Sequence, residues 1–254
     1  MNTAGVSVRN LKKQYRIGTE TIDALKNINL IIPEGSFTTI VGKSGCGKTT
    51  LLRLLSELEK PSDGQIEFIF DSPGHNSKDK RVGIVFQESR LMPWLTVKEN
   101  MAFPLFKIKN KEETDRIVEK YLAIMGLEKF KNAYPSQISG GMARRTAIGR
   151  VLCHDPDIIL MDEPFASLDY FTRNNLQEEM VKLFVSQKKT IVFVTHNVEE
   201  AIALGQRIVV LNDGEVVLEC PVSLPYPRKC TDTNFQQIRA KILDAITGAK
   251  PKIA

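Results

Sequence analysis

The chain has 254 residues, 42% of them hydrophobic and 26% charged, with a formal net charge of +5. That balance fits a soluble globular protein of one large domain, or a domain with a subdomain, and it carries neither an internal repeat nor a low-complexity linker. No apolar run reaches the roughly 18 residues of a membrane span, residues 1–5 lack the start of a secretory signal, and no dense Lys/Arg block with interleaved aromatics points to nucleic acid.

The modest positive charge suits either an ordinary solvated surface or the negative face of an inner membrane leaflet. Cys46, Cys153, Cys220 and Cys230 show neither metal-type nor disulfide-framework spacing, which indicates a reduced, cytoplasmic compartment.

In chain order, the β-branched run 37–41, preceded by Pro33-Glu34-Gly35, predicts a strand. A glycine-rich loop follows at 42–49 and a helix opens over 49–55. Residues 82–86, 158–161, 191–194 and 208–211 are apolar runs without alternation, as expected of parallel strands buried on both faces. Helical patterns separate the later runs, which predicts an α/β core with crossover helices. Between about 91 and 155 no strong strand is visible. Ile117, Val118, Tyr121, Leu122 and Met125 fall at helical spacing behind an Asn110-x-x-Glu113 start, so this stretch reads as a helical insert. Within it Ser139 is a natural N-cap for a helix over 142–152. The Asp213-Gly214 pair predicts a tight hairpin turn, residues 235–246 a last helix, and Lys250-Pro251-Lys252 a frayed tail.

Gly42-Lys43-Ser44-Gly45-Cys46-Gly47-Lys48-Thr49 matches the phosphate-loop pattern G-x-x-x-x-G-K-[ST] in full. Its glycines let successive amides converge on phosphate oxygens, and the following helix N-terminus adds a favourable dipole. Lys48 is placed to reach the β- and γ-phosphates of a nucleoside triphosphate, and the Thr49 hydroxyl to ligate Mg²⁺. Asp162 and Glu163 end the run 158–161. A carboxylate at such a strand end can hold Mg²⁺, and its neighbour can polarise an attacking water. Asp162 is accordingly the metal-side residue and Glu163 the general base. Ser139-Gly140-Gly141 bares the start of a second helix and makes a second phosphate site. Two such sites on separate elements invite a sandwich of two chains. Standing alone, the same residues would be a capped helix and no more.

Taken together, these landmarks resemble the ATP-binding cassette (ABC) ATPases, the motor subunits of ABC transporters, over about residues 5–225. Ile138-Ser139-Gly140-Gly141-Met142 resembles the signature motif, with Ile138 in place of leucine and Met142 in place of glutamine. Gln87 resembles the Q-loop glutamine, Ser167-Leu168-Asp169 the D-loop and His196 the switch histidine, and Tyr15 the aromatic residue that stacks on adenine. Alone, Gln87 reads as a surface polar residue, His196 as a capping or core histidine and Tyr15 as packing. Cys46 offers only its backbone, and Gly149 inside a helix marks close packing.

The resemblance implies a P-loop NTPase (RecA-like) α/β core with an N-terminal antiparallel β subdomain and a helical signature-motif insert. The ATPase domain would cover 5–230, its insert about 91–155, and a C-terminal helix and tail 231–254. It implies ATP and Mg²⁺ as ligands, with Tyr15, Gly42, Lys43, Ser44, Gly45, Cys46, Gly47, Lys48, Thr49 and Thr50 on the nucleotide, Ser139, Gly140, Gly141 and Asp169 facing a partner's nucleotide, and Thr49, Gln87 and Asp162 at the metal. Glu163, His196 and Gln87 would carry catalysis. A narrower likeness, to importers of nitrate, taurine and aliphatic sulfonates, rests on residues 87–97, on Met142 and on Leu224-Pro225-Tyr226-Pro227-Arg228. In that group Trp94 would meet the membrane partner; the alternative is a core tryptophan of the insert. The implied partners are a second ATPase subunit in a homodimer, transmembrane permease subunits and an external solute-binding protein. The implied location is peripheral, on the cytoplasmic face of the inner membrane. The alternatives are import of another small organic solute, such as a thiamine precursor, or a non-transport cassette ATPase.

Overall fold

The computed structural model describes residues 4–69, 80–106, 108–166 and 168–248. Ser167 of the expected D-loop and the tail Lys250-Pro251-Lys252 lie outside the described residues. In chain order the first elements are β1 (Ala4–Ile17), β2 (Glu20–Pro33), β3 (Phe37–Val41), α1 (Lys48–Leu55), β4 (Asp63–Phe68) and β5 (Val82–Val85). Helices α2 (Val97–Ala102), α3 (Lys111–Ile124) and α4 (Gly140–Cys153) follow. The rest is β6 (Ile158–Asp162), α5 (Tyr170–Gln187), β7 (Thr190–Thr195), α6 (Val198–Leu204), β8 (Arg207–Asn212), β9 (Glu215–Pro221) and α7 (Thr233–Thr247). The chain divides into two compact units, one of Met1–Lys80 with Val181–Ala254, the other of Arg81–Met180.

In the first unit β1 lies antiparallel between β2 and β4. The expected N-terminal antiparallel subdomain is this sheet. Its pairing is interrupted by register shifts along β1 between Val8 and Gln14, and outward positions carry Ile17, Ile22 and Ile31. Both features blur the alternation that would mark a strand in the sequence. The same unit holds parallel pairings of β3 with β7 and β8, and an antiparallel hairpin of β8 with β9. The hairpin turn has Asp213 at φ 47° and Gly214 at φ 75°. Left-handed backbone at both central positions is the two-residue turn that Asp-Gly favours.

β3 and β7 are buried at every position, which explains their unbroken apolar runs. Phe37 packs edge-on against Phe184 at 5.4 Å and tilted against Phe193 at 6.1 Å. Helix α7 lays Phe235, Ile242 and Ile246 into a core shared with Val198, Ile202, Val210 and Val222, each large side chain contributing about 1.5–3 kcal/mol of burial. Ahead of it, a strap at Tyr226-Pro227-Arg228 fastens the end of α6. The Arg228 guanidinium donates to the carbonyls of Ile202, Gly205, Val222 and Leu224, and the Tyr226 hydroxyl donates to that of Leu204.

In the second unit β5 and β6 pair in parallel, and 91–155 contains no strand among its described residues. Strand β5 stops at Val85, one residue short of the apolar run, and the next carbonyl, that of Phe86, is taken by Arg144. Asn110 caps α3 by accepting from the Glu113 amide. Thr96 and Glu99 close a full capping box on α2. A Cβ on Gly149 would come within 2.5 Å of the Met101 methyl and 3.4 Å of Met125 Cγ, so this helical glycine does mark close packing.

Candidate functional site

Strand ends collect the polar residues. In the first unit Val41 is paired with Thr195 on the neighbouring parallel strand, so the phosphate loop and His196 leave the sheet side by side at one edge. In the second unit Val85 is paired with Met161, which brings the Gln87 segment beside Asp162 and Glu163. Loops at the carboxyl ends of parallel strands are where open α/β sheets bind ligands.

The phosphate loop is shaped by close contacts. A Cβ on Gly42 would lie 2.1 Å from the Leu211 carbonyl oxygen and 2.7 Å from Cys46 Sγ. Gly47 has φ 101°, and a Cβ there would meet the Ala24 carbonyl oxygen at 2.5 Å. Gly45, at φ 80°, faces open space. Lys43, Ser44, Gly45 and Thr49 are exposed, whereas Lys48 is only 5% exposed and donates to the carbonyls of Gly42 (2.9 Å) and Lys43 (2.8 Å). A buried ammonium held by loop carbonyls, beneath an exposed turn whose glycines adopt left-handed backbone, fits a chain of phosphates. Burial pushes the Cys46 thiol up, against the opposing pull of Lys48. It is therefore a packing group rather than a nucleophile.

Tyr15 is half-buried and braced. Its hydroxyl donates to Glu59 Oε2 at 2.6 Å, and Glu59 also receives Lys13 at 3.2 Å and Arg53 at 3.3 Å. Lys13 Nζ stands 5.0 Å from the ring centroid. Burial, then the bond to Glu59, raises the Tyr15 pKa, with Thr50 pulling the other way. The Glu59 carboxyl is lowered, chiefly by the same Tyr15 bond.

His196 is exposed in the turn from β7 to α6. Thr195 Oγ1 donates to the buried Glu200 carboxylate at 2.7 Å and receives the Asn197 amide at 3.0 Å. Asn197 Oδ1 caps α6 by accepting from the amides of Glu199 and Glu200. The turn is thus tied on both sides of the histidine.

In the second unit Asp162 is 8% exposed at the end of β6, and Glu163 adopts φ 43°. Left-handed backbone costs a non-glycine residue about 1 kcal/mol, and such strain gathers at functional positions. Gln87 is exposed. Ser139 caps α4 by accepting from the Met142 amide at 3.2 Å, and both Ser139 and Gly140 are exposed. A Cβ on Gly141 would be 3.5 Å from Leu168 and 3.6 Å from Thr172, so the start of α4 lies against the segment that carries Asp169. Asp169 accepts from the Thr172 amide at 3.0 Å, the main reason its carboxyl titrates low. Beyond it Tyr170 and Phe171 are 68% and 77% exposed.

Trp94 is 72% exposed, which rules out a core role. The turn that presents it is stapled by Asn100, a fully buried amide that receives the Met92 N–H and donates to the carbonyls of Met92, Leu95 and Thr96. Glu59, Asn100, Arg144 and Glu200 are supporting residues that reading the sequence passed over. Only Asn197-x-x-Glu200, spaced like a capping box, had a signal to find it by.

A family model described as "ABC transporter" matches residues 25–166. The chain is 42% identical over 240 residues to the aliphatic sulfonates import ATP-binding protein SsuB of Bacillus cereus, covering 94% of both chains. It is 44% identical over 244 residues to an uncharacterised ABC transporter ATP-binding protein of Methanocaldococcus jannaschii, covering 95% of this chain and 91% of that one. Among solved structures it is similar to a dimeric ATP-binding cassette in a post-hydrolysis state bound to ADP and Pi. There the TM-score is 0.77 at 37% identity, covering 87% of this chain and all of the other.

Proposed function

The chain belongs to the ABC transporter family as one of its ATP-hydrolysing subunits, and from that premise we propose that it drives import of a small anion, an aliphatic sulfonate above all, with nitrate and taurine in the same class. The names of its Bacillus relatives support the solute class. The observation that carries the mechanism is the exposed, serine-capped N-terminus of α4 in a chain that already owns a complete phosphate loop. A second phosphate site has work to do only when another chain presents its nucleotide. The dimeric cassette with ADP and Pi is the matching precedent.

In this reading the Tyr15 ring stacks on adenine, and residues 42–50 wrap the phosphates, with Lys48 swinging from its two carbonyls to the β- and γ-phosphate oxygens. Ser139, Gly140, Gly141 and Asp169 of a second copy close over the γ-phosphate. Thr49, Asp162 and Gln87 are oxygen donors of the kind Mg²⁺ takes, and the ion would neutralise charge on the β- and γ-oxygens. Glu163 accepts a proton from the attacking water, and His196 steadies the γ-phosphate. ATP then acts as a ligand favouring the closed pair, and hydrolysis withdraws the preference.

Among the described residues no helix is long and apolar enough to cross a membrane. Transport therefore needs permease subunits, with an external solute-binding protein feeding them and this chain peripheral on the cytoplasmic face. The exposed Trp94, Phe103 and Phe106 suit docking onto the permease.

Complementation tests the two-chain site. Ser139→Arg and Lys48→Ala should each be inactive alone. Mixed, they should recover ATPase activity, because one of the two sites in a heterodimer then combines an intact phosphate loop with an intact serine cap. No recovery in mixtures that demonstrably dimerise would refute it.

A further inference from the structure

Helix α4 carries its arginines inward. Arg144 is 1% exposed and, among the described residues, heads the largest fully buried side chains. Its two terminal nitrogens donate to the carbonyls of Phe86 and Gln87. Six residues further along the helix, Arg150 donates to the carbonyls of Arg90 at 3.0 Å and Ser89 at 3.2 Å. Arg90 in turn lies 4.1 Å over the Phe86 ring. The segment around Gln87 is therefore held by its backbone, leaving the Gln87 side chain exposed.

Packing alone does not account for an arginine here. Its buried Nε has no hydrogen-bond partner among the described residues. Desolvation lowers its pKa, with Asp162 the charge that opposes the shift. An apolar side chain of similar volume is often neutral or better at such a position. What arginine supplies and an apolar residue cannot is a rigid planar fork of donors, which fixes two successive carbonyls in direction as well as distance.

We propose that Arg144 is a positioning residue for ATP hydrolysis: it locks the Phe86–Gln87 backbone to the helix that begins at Ser139-Gly140-Gly141, so that Gln87 and the γ-phosphate cap keep one fixed geometry. The proposal rests on the reading of Gln87 as a residue of the hydrolytic site. Misplacement of such a group by about 1 Å can lower turnover on the order of a hundredfold. Ground-state nucleotide binding, which the phosphate loop provides, is untouched.

The test is a double-mutant cycle on the full-length ATPase, with kcat, KM for ATP and thermal midpoint measured for Arg144→Met, Arg144→Lys, Gln87→Ala and the combinations. Arg144→Met is expected to lower kcat roughly ten- to a hundredfold with KM changed less than about twofold, and to add nothing in the Gln87→Ala background. Arg144→Lys, whose single ammonium cannot serve both carbonyls in one plane, should fall between. It carries the same cycle if the methionine variant does not fold. Losses that multiply with those of Gln87→Ala, or kcat and KM worsening together, would show that Arg144 acts as packing and overturn the proposal. An unchanged kcat in Gln87→Ala would instead refute the Gln87 reading, and the proposal with it.

Discussion

Single residues set the tolerances of the phosphate loop. A methyl group at Gly42 has nowhere to go, because the Leu211 carbonyl is backbone and cannot rotate away. Gly42→Ala should therefore cost about 1–3 kcal/mol by overpacking, read as a lower thermal midpoint, together with weakened nucleotide binding. Cys153 gives a different residue-scale signature. It is 1% exposed at the end of α4, and burial pushes its thiol from 9.0 up to about 12. The neutral thiol is held in the folded state while the unfolded chain loses its proton near pH 9.0. The folded state then binds more protons, so this contribution is full below that pH and is lost as the pH climbs towards about 12. The pH dependence of unfolding should be shallower in Cys153→Ala than in the parent over that window; identical slopes would contradict the assignment. In thiol labelling of the native protein, exposed Cys230 should react well ahead of Cys153.

At the scale of elements, Asn100 braces the turn before α2, which the Leu95 amide also closes onto the Met92 carbonyl. Asn100→Leu keeps the volume but removes side-chain bonds to four backbone groups. The Met92 and Thr96 carbonyls keep the amides of Leu95 and Asn100, so the cost falls on the Met92 amide and the Leu95 carbonyl, each buried group left unpaired costing about 1–3 kcal/mol. Stability should fall by about 3 kcal/mol, and the emission anisotropy of Trp94, the one tryptophan in the chain, should drop as its turn loosens. The sequence exposed some elements and hid others for physical reasons. β3, β6, β7 and β8 were legible because they are buried throughout or nearly so and leave unbroken apolar runs. α4 was legible because Ser139 is a real cap. β1 and β2 were not, since bulges and outward-facing isoleucines erase the period of two; only the family resemblance supplied them. Of the site, the glycines and capping residues advertise themselves by local backbone demands. Arg144 does not: a charged residue inside a helix reads as solvent-facing until its carbonyl partners, 58 and 57 positions away, are seen.

For the whole molecule, the proposed function demands a dimer that forms with ATP and parts after hydrolysis. Glu163→Gln keeps shape and hydrogen bonding but removes the base, so turnover should fall by about 10²–10⁴ while ATP binding persists. The variant should then elute as a dimer with ATP and as a monomer without it; a monomer with unchanged hydrolysis would be incompatible with Glu163 as the base. One long-range contact bears on how the chain comes to life. The Gly214 amide donates to the Cys46 carbonyl, and its own carbonyl receives the Lys26 amide. Strand β8 supplies the Leu211 carbonyl against which Gly42 is fitted. The phosphate loop is thus completed by residues some hundred and seventy positions after it begins. A chain that carries its entire phosphate loop but lacks the β8–β9 hairpin should therefore bind nucleotide more weakly than the full chain.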